Sequence, residues 1–222
     1  RTAGVGRFVF ASSCSLYGGA GDALRRETDP LAPLTAYARG KAAAEAELAR
    51  LGGARFTVVA LRFATACGWS PRFRSDLALN DFVLSALRTR RVRLRSDGSA
   101  WRPLIHVRDM ASALAWAALD PGLDGAGWRV FNVGRADMNV RIADLAAQAA
   151  AAAGARVEVD PRSGPDRRSY SVDFSRFAAE APDGLLRHDM AAALDDLVAN
   201  LSRRAADFAG GAARTVRIDA LS

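Results

Sequence analysis

Two side chains four residues apart, a phenol and an ammonium, are the strongest candidates for chemistry in this sequence. Lys41 is the only lysine among 31 cationic side chains, and Tyr37 precedes it in the run TAYARGK. An ammonium is a compact point charge, whereas a guanidinium is planar and prefers forked contacts, so a lone lysine indicates a site that needs the smaller cation. A positive charge beside a phenol favours the phenolate. The pair is therefore a candidate acid/base group, although a solvated tyrosine and lysine would give the same pattern.

The segment that carries this pair is predicted to be a helix. Residues 37–50 read YARGKAAAEAELAR and consist mostly of strong helix formers. Residues i and i+4 share one face of a helix, so Tyr37 and Lys41 should lie side by side. A YxxxK match alone is weak, because it arises by chance in many helical proteins. Its meaning depends on the flanking sequence.

Upstream of the helix, an apolar run ends in small hydroxyl residues. In RFVFASSCSLYG, Phe8 to Ala11 predicts a buried strand, and Ser13 follows it. Open parallel sheets bind ligands at the carboxyl ends of their strands, where these hydroxyls should emerge. The sequence has no GxSxG turn, and His106 and His188 lack metal-ligand spacing, so a serine hydrolase and a metal site are disfavoured. His106 lies in an apolar stretch and is expected to be structural.

These motifs resemble one known family. SSCSLYG followed by YARGK is similar to the extended short-chain dehydrogenases/reductases, the NAD-dependent nucleotide-sugar epimerases and dehydratases such as UDP-glucose 4-epimerase, and further matches run over residues 4–200. The resemblance implies an α/β fold, the C-terminal part of a Rossmann-type doubly wound parallel sheet with a smaller α/β substrate-binding lobe. Residues 1–65 would complete the NAD-binding domain. Residues 66–222 would form the lobe, with about 104–135 returning to the sheet.

The resemblance also implies catalytic and cofactor-binding residues. Tyr37 would take the proton of a sugar hydroxyl, usually at C4, while Ser13 hydrogen-bonds the same oxygen and a hydride passes to the cofactor. Lys41 would hold the cofactor ribose. Tyr37, Lys41 and Phe63, at the end of FTVVALRF, would contact the cofactor, which is NAD, with NADP as an alternative.

The implied substrate is a nucleoside diphosphate sugar. Arg102, which precedes HVRD, and Arg162 stand where the family has diphosphate-binding arginines, and a guanidinium fork can take two phosphate oxygens. Asn80 in LALNDFV falls where relatives have an asparagine near the diphosphate. Thr65 replaces the asparagine of many epimerases and is predicted to line the substrate site.

The residues after Ser13 bear on the branch of the family. Dehydratases and decarboxylases typically carry an acidic residue at one or both of the next two positions, which here are Cys14 and Ser15. Neither is a carboxylic acid. The sequence therefore favours an epimerase or a keto-sugar reductase.

The family's GxxGxxG fingerprint should precede Ser13 by about a hundred residues. Gly4-Val5-Gly6 precedes a predicted strand instead of following one. The sequence is thus expected to be the C-terminal two-thirds of an enzyme. The alternative is a non-catalytic relative, or one half of a split enzyme that needs a separate cofactor-binding partner. Family members often dimerise through the YxxxK helix, so a homodimer is an option and the oligomeric state stays open.

Composition adds a distant alternative and a location. The net charge of +7 and the run RTRRVRLR suggest an alternative function, that of a basic nucleic-acid-binding module. The alternation of Val92 and Leu94 with arginines instead favours an edge strand, and no aromatic residue interleaves to stack bases. Two cysteines, Cys14 and Cys67, both in predicted loops, indicate the reducing cytoplasm. No apolar run approaches the ~20 residues of a membrane span.

Overall fold

The computed structural model describes residues 3–19, 23–160, 164–166 and 168–204. Arg162 lies outside the described residues. The strands of the described part are β1 (Arg7–Ser13), β2 (Leu24–Arg25), β3 (Thr57–Phe63), β4 (Thr65–Cys67), β5 (Arg91–Leu94), β6 (Trp101–His106), β7 (Trp128–Val133), β8 (Asn139–Arg141), β9 (Arg156–Val159) and β10 (Ser171–Val172). Its helices are α1 (Ala36–Leu51), α2 (Ala78–Thr89), α3 (Val107–Leu119), α4 (Ile142–Ala152), α5 (Ser175–Glu180) and α6 (Met190–Arg203). Short 3₁₀ turns cover Cys14–Tyr17, Pro121–Leu123 and Ala136–Met138.

A parallel sheet of three strands, in the order β1-β3-β7, underlies the first motifs. Ser13 pairs with Phe63, and Phe63 pairs with Val133, so the three strands end at the same level. Every residue of β3 is buried. Burial of both faces is typical of a parallel strand and explains why its sequence is an almost continuous apolar run. The α/β class predicted from the sequence is observed.

Helix α1 is the crossover connection between the parallel strands β1 and β3. The Thr35 hydroxyl caps it by accepting a hydrogen bond from the Ala38 amide at 3.1 Å. The alanine-rich run then continues the helix to Leu51, before Gly52. A crossover helix runs back against its strands. The start of α1, with Tyr37 and Lys41, therefore lies at the carboxyl edge of the sheet.

The second half of the chain builds smaller sheets around its own core. Strand β6 pairs in parallel with β4 and antiparallel with β8, β5 pairs with β9, and β2 pairs with β10. Helices α2, α4 and α6 enclose a buried cluster that includes Leu79, Val83, Leu145, Ala149 and Leu197. A separate cluster, with Val59, Leu61, Trp116, Phe131 and Phe177, lies against the β1-β3-β7 sheet. Strand β7 returns to that sheet while β6 does not, and the division near residue 65 stays a prediction.

Several local predictions can be compared with the structure directly. In β5, Val92 and Leu94 are buried while Arg91 and Arg93 are exposed, which is the alternation of an edge strand. Cys14 begins a 3₁₀ turn, but Cys67 lies within β4 instead of a loop, because the strand extends to meet His106 of β6. Within the described residues, no helix is long and apolar enough to span a membrane.

Candidate active site

Tyr37 and Lys41 lie on one face of α1, as their spacing predicts. The Lys41 ammonium donates a hydrogen bond to the Ala11 carbonyl oxygen at 2.7 Å. The same Nζ lies 5.7 Å from the centroid of the Tyr37 ring and 4.7 Å from that of Phe10. The Tyr37 side chain is half exposed. A lysine has three N–H donors, so the contact with Ala11 leaves two for a ligand.

Ser13 is the last residue of β1 and the cap of the 3₁₀ turn that follows. Its Oγ accepts a hydrogen bond from the Ser15 amide at 3.2 Å and lies 2.9 Å from the Ser15 Oγ. Among the described residues, no hydrogen bond joins Ser13 to Tyr37. The two are connected through Lys41, whose partner Ala11 lies two residues before Ser13. The phenol, the ammonium and the hydroxyl thus belong to adjoining elements at one edge of the sheet.

Arg102 and Thr65 meet in a second cluster. One Nη of Arg102 donates to an Asp166 carboxylate oxygen at 2.8 Å, and the guanidinium lies 5.6 Å from the ring centroid of Tyr170. The Thr65 side chain lies close enough to the Tyr170 hydroxyl to oppose, in small part, the rise that burial causes in its pKa. Burial raises the pKa of Tyr170 to about 12 and lowers that of Arg102. Asp166 also accepts hydrogen bonds from Arg168, so this cluster gathers two guanidinium groups around one anion.

Asn80 and Phe63 are placed in the interior. The buried Asn80 amide accepts from the Gly68 N–H at 3.1 Å and donates to the Arg74 carbonyl oxygen at 3.0 Å. It therefore holds the turn after β4. The pKa of Arg74 is raised, first by its hydrogen bonds to Asp76 and to a smaller extent by Tyr37, which puts this turn within electrostatic reach of the phenol. Phe63 is buried in the core beside β1 and β7. The contacts of Asn80 with the substrate and of Phe63 with the cofactor stay predictions.

The turn after β4 depends on a glycine. Gly68 has φ +96°, and a Cβ at this position would overlap the His106 ring. His106 is fully buried and stacks on His188 with ring centroids 4.2 Å apart, and its Nε2 lies 3.2 Å from Asp196. His106 therefore has the satisfied structural environment that its apolar surroundings predict.

A buried polar network, which the sequence motifs did not indicate, lies beneath the candidate site. Arg62 of β3 donates from Nε to both Glu45 oxygens at 3.1 Å and from one Nη to Glu45 at 2.6 Å. Its other Nη donates to the Tyr17 hydroxyl at 3.0 Å, and Tyr17 donates to Asn132 at 2.7 Å. The available signal was a single arginine inside the apolar run TVVALRF, because a buried charge requires a partner.

The arrangement can perform two kinds of chemistry. A half-exposed phenol with an ammonium beside its ring can move a proton to or from a ligand hydroxyl. The Arg102 cluster, with guanidinium forks and an aromatic ring, can hold an anionic and planar group. Cys14 is excluded from such roles, because it is fully buried and burial raises the pKa of its thiol.

Comparison with known proteins gives consistent matches. The profile of the NAD dependent epimerase/dehydratase family matches residues 1–134. The chain is 32% identical over 180 residues to a dTDP-glucose 4,6-dehydratase of Actinoplanes sp., an alignment that covers 79% of this chain and 54% of that protein. It is 29% identical over 181 residues to the low-salt glycan biosynthesis protein Agl12 of Haloferax volcanii, with 80% and 56% covered.

A solved structure agrees with these sequence matches. MoeE5 in complex with UDP-glucose and NAD superposes with a TM-score of 0.75 at 30% identity, over 92% of this chain and 67% of that chain. The chain spans about half the length of the curated relatives that it matches.

Proposed function

Because the chain belongs to the NAD-dependent epimerase/dehydratase family, we propose that it takes part in the NAD-dependent epimerisation of a nucleoside diphosphate sugar at C4. The observation that carries the proposal is the Lys41 ammonium, held at the carboxyl end of β1 and next to the Tyr37 ring. A keto-sugar reductase would use the same groups.

In this proposal each residue has a defined task. Tyr37 accepts the proton of the C4 hydroxyl as a phenolate and later returns it. Ser13 donates a hydrogen bond to the same oxygen and holds it near the phenol. Lys41 supplies a fixed positive charge and two free N–H donors for ribose hydroxyls. Arg102, and Arg162 beyond the described residues, bind the diphosphate, with Asn80 near it, while Thr65 lines the substrate site.

The residues present fit the nicotinamide end of the cofactor. The ammonium has unused donors, and the phenol beside it is half exposed, which suits a ribose with two hydroxyls. NAD bound there would supply the hydride acceptor for C4 and the hydride donor for the return step. NADP is the alternative.

Two observations support epimerase over dehydratase. Cys14 is buried and donates its S–H to the Arg62 carbonyl oxygen at 3.0 Å, and Ser15 hydrogen-bonds Ser13. Neither position supplies a carboxyl group for the extra proton transfers of an elimination. The similarity to a curated dTDP-glucose 4,6-dehydratase makes dehydration the competing activity.

The test is product analysis in D₂O. The purified protein is incubated with NAD and either UDP-glucose or dTDP-glucose, and products are identified by NMR. Epimerisation gives the C4 epimer with no deuterium at C5, whereas dehydration gives a 4-keto-6-deoxy sugar and incorporates deuterium at C5. Exclusive formation of the keto-deoxy product would replace our proposal by the dehydratase.

The second candidate is a protein that works with a separate cofactor-binding partner. It is favoured by the outer edge of β1, which has no neighbouring strand in the described part of the chain, and by the exposed side chains of Val5 and Phe8. Calorimetric titration with NAD distinguishes the two. Absence of NAD binding by a well-behaved monomer would support this candidate.

A further inference from the structure

We propose that Arg62 is a positioning residue that fixes Ser13 and the Tyr37–Lys41 pair relative to each other. The inference rests on the proposed function, because it concerns the groups which that function uses. Arg62 itself is buried in β3, beside Ser12 in the register, and is reserved for contacts with the protein. Its importance follows from the two elements that it joins.

The first of these elements is α1. Tyr37, Lys41 and Glu45 follow one another at intervals of four residues and share one helical face. Glu45 is held by the fork of Arg62, with side chains only 6% and 4% exposed for Arg62 and Glu45. One turn earlier, Lys41 is held by the Ala11 carbonyl oxygen of β1. Two attachments one turn apart, to two different strands, prevent α1 from sliding or rotating over the sheet.

The second element is the 3₁₀ turn Cys14–Tyr17, which begins directly after Ser13. Its last residue, Tyr17, accepts a hydrogen bond from the second Nη of Arg62 at 3.0 Å. Its first residue, Cys14, donates to the Arg62 carbonyl oxygen at 3.0 Å. Both ends of the turn are therefore attached to Arg62, and Ser13 leads into that turn.

The chemistry of the guanidinium explains why this position is an arginine. Nε and one Nη bind Glu45 while the other Nη binds Tyr17 and the Glu27 carbonyl oxygen at 3.2 Å. A planar fork sets these directions rigidly, whereas an ammonium on a flexible stem could not. A buried ion pair is often no more stable than apolar side chains of similar volume. We therefore assign to this network the role of fixing the positions of α1 and the 3₁₀ turn, and not a contribution to stability.

The sequence offers unusually clean probes for a test. Lys41 is the only lysine, so the acetylation rate of its side-chain amine reports how firmly α1 is held against the sheet. Cys14 reports on the 3₁₀ turn, and the other cysteine, Cys67, lies in the second core and serves as an internal control. Trace labelling with acetic anhydride and with a thiol reagent, followed by peptide mass spectrometry, gives all three rates from the full chain.

Three variants should give three different patterns. Tyr17→Phe should accelerate labelling of Cys14 and leave Lys41 unchanged. Glu45→Gln should accelerate Lys41 and leave Cys14 unchanged. Arg62→Met should accelerate both by about tenfold or more, because local opening exposes groups that the native state protects. Cys67 should keep its wild-type rate in all three.

Two results would overturn the inference: wild-type rates at Lys41 and Cys14 in Arg62→Met, or an equal acceleration of Cys67, which would make the network a general stability element. Should Arg62→Met not fold, the double variant Arg62→Met with Glu45→Leu removes both charges and is judged by the same rates.

Labelling needs no turnover, so an inactive protein with the expected pattern would refute the proposed function and retain this inference. In an active protein, the double variant should lower kcat by about 10²-fold, as a ~1 Å displacement does, with unchanged UDP affinity. The matched control is Glu180→Gln on α5, which removes the charge that pairs with Arg129 of β7.

Discussion

The Lys41 ammonium lies 2.7 Å from the Ala11 carbonyl oxygen and thereby joins the start of α1 to the end of β1. This contact places the Tyr37–Lys41 pair of the YxxxK motif at the edge of the sheet where β1 ends. The contact directs the cation towards a strand that is itself paired along its length with β3. The ring of Tyr37 lies beside the same charge, and Ser13 follows two residues after Ala11.

Replacing Tyr37 by phenylalanine should abolish turnover and leave nucleotide binding intact. The substitution removes only the hydroxyl of a half-exposed ring, and a positioned acid/base group contributes about 10²–10⁴-fold to a rate. The measurements are kcat and the calorimetric Kd for UDP. Arg39→Ala, two residues along the exposed side of α1, controls for helix effects. Unchanged turnover in Tyr37→Phe would contradict the assigned role.

Lys41→Arg should lower kcat at least about tenfold, because a planar fork cannot replace a compact ammonium between the Ala11 carbonyl oxygen and the phenol. The matched control is the reverse exchange, Arg39→Lys, on the same helix. Arg39 is exposed and donates a 3.3 Å hydrogen bond to the Leu34 carbonyl oxygen of the preceding loop. Full activity of Lys41→Arg would mean that the single lysine has no catalytic significance.

Arg102→Lys should weaken UDP binding about tenfold, because the lysine loses the fork that can take two phosphate oxygens. Isothermal titration with UDP and with uridine separates the diphosphate contribution from that of the base. Arg141→Lys is the control, since this guanidinium lies 4.9 Å from the Trp101 ring and donates to the Ser99 carbonyl oxygen. Equal affinity of Arg102→Lys and the unmodified protein would remove Arg102 from the diphosphate site.

Asn80→Ala should lower the free energy of unfolding by about 1–3 kcal/mol, because it leaves the Gly68 N–H and the Arg74 carbonyl oxygen without their buried partner. Chemical denaturation measures this loss. Asn200→Ala, on α6, removes a partly buried amide that bonds Asp196 and controls for loss of an amide in general. A stable Asn80→Ala variant with weakened UDP binding would make the residue a ligand contact instead.

Stability should decrease as the pH falls below about 6.5. Burial lowers the pKa of His106 from its ordinary value of 6.5, although Asp196 opposes the shift; His188, Asp109 and Arg108 also face this cluster. The unfolded chain therefore binds a proton that the folded chain does not bind until lower pH. The stabilisation is complete above the unfolded-state pKa and is lost as the pH falls through the folded-state pKa. Thermal midpoints between pH 7.5 and 5 measure it, and His106→Gln should flatten the curve. An equally steep curve in that variant would contradict the assignment.

The parts of the fold that follow from local periodicity were predictable. The apolar run TVVALRF is a buried strand, and the alanine-rich run after Thr35 is a helix that presents Tyr37 and Lys41 together. Each of these depends on neighbouring residues alone. The approach of Ser13 and Lys41 to one sheet edge followed from the resemblance and from the crossover rule for parallel strands.

Contacts between distant residues were not predictable from pattern. Glu45 and Arg62 are charged residues inside otherwise ordinary helix and strand sequences, and only the packing of α1 on β3 makes them partners. Asn80 was expected near a diphosphate, but which of its possible partners it contacts depends on the turn at Gly68. The contacts of Asp166 with Arg102 and Arg168 depend on the path of a segment without regular structure, which sequence periodicity does not predict.

The two buried thiols have a practical consequence. Cys14 and Cys67 are at most 1% exposed, and burial raises the pKa of both thiols, that of Cys67 to about 12. The thiolate is the form that reacts with oxidants and disulfides. The folded protein should therefore tolerate air and storage without reducing agents, and any disulfide-linked oligomer in a preparation would be a measure of its unfolded fraction.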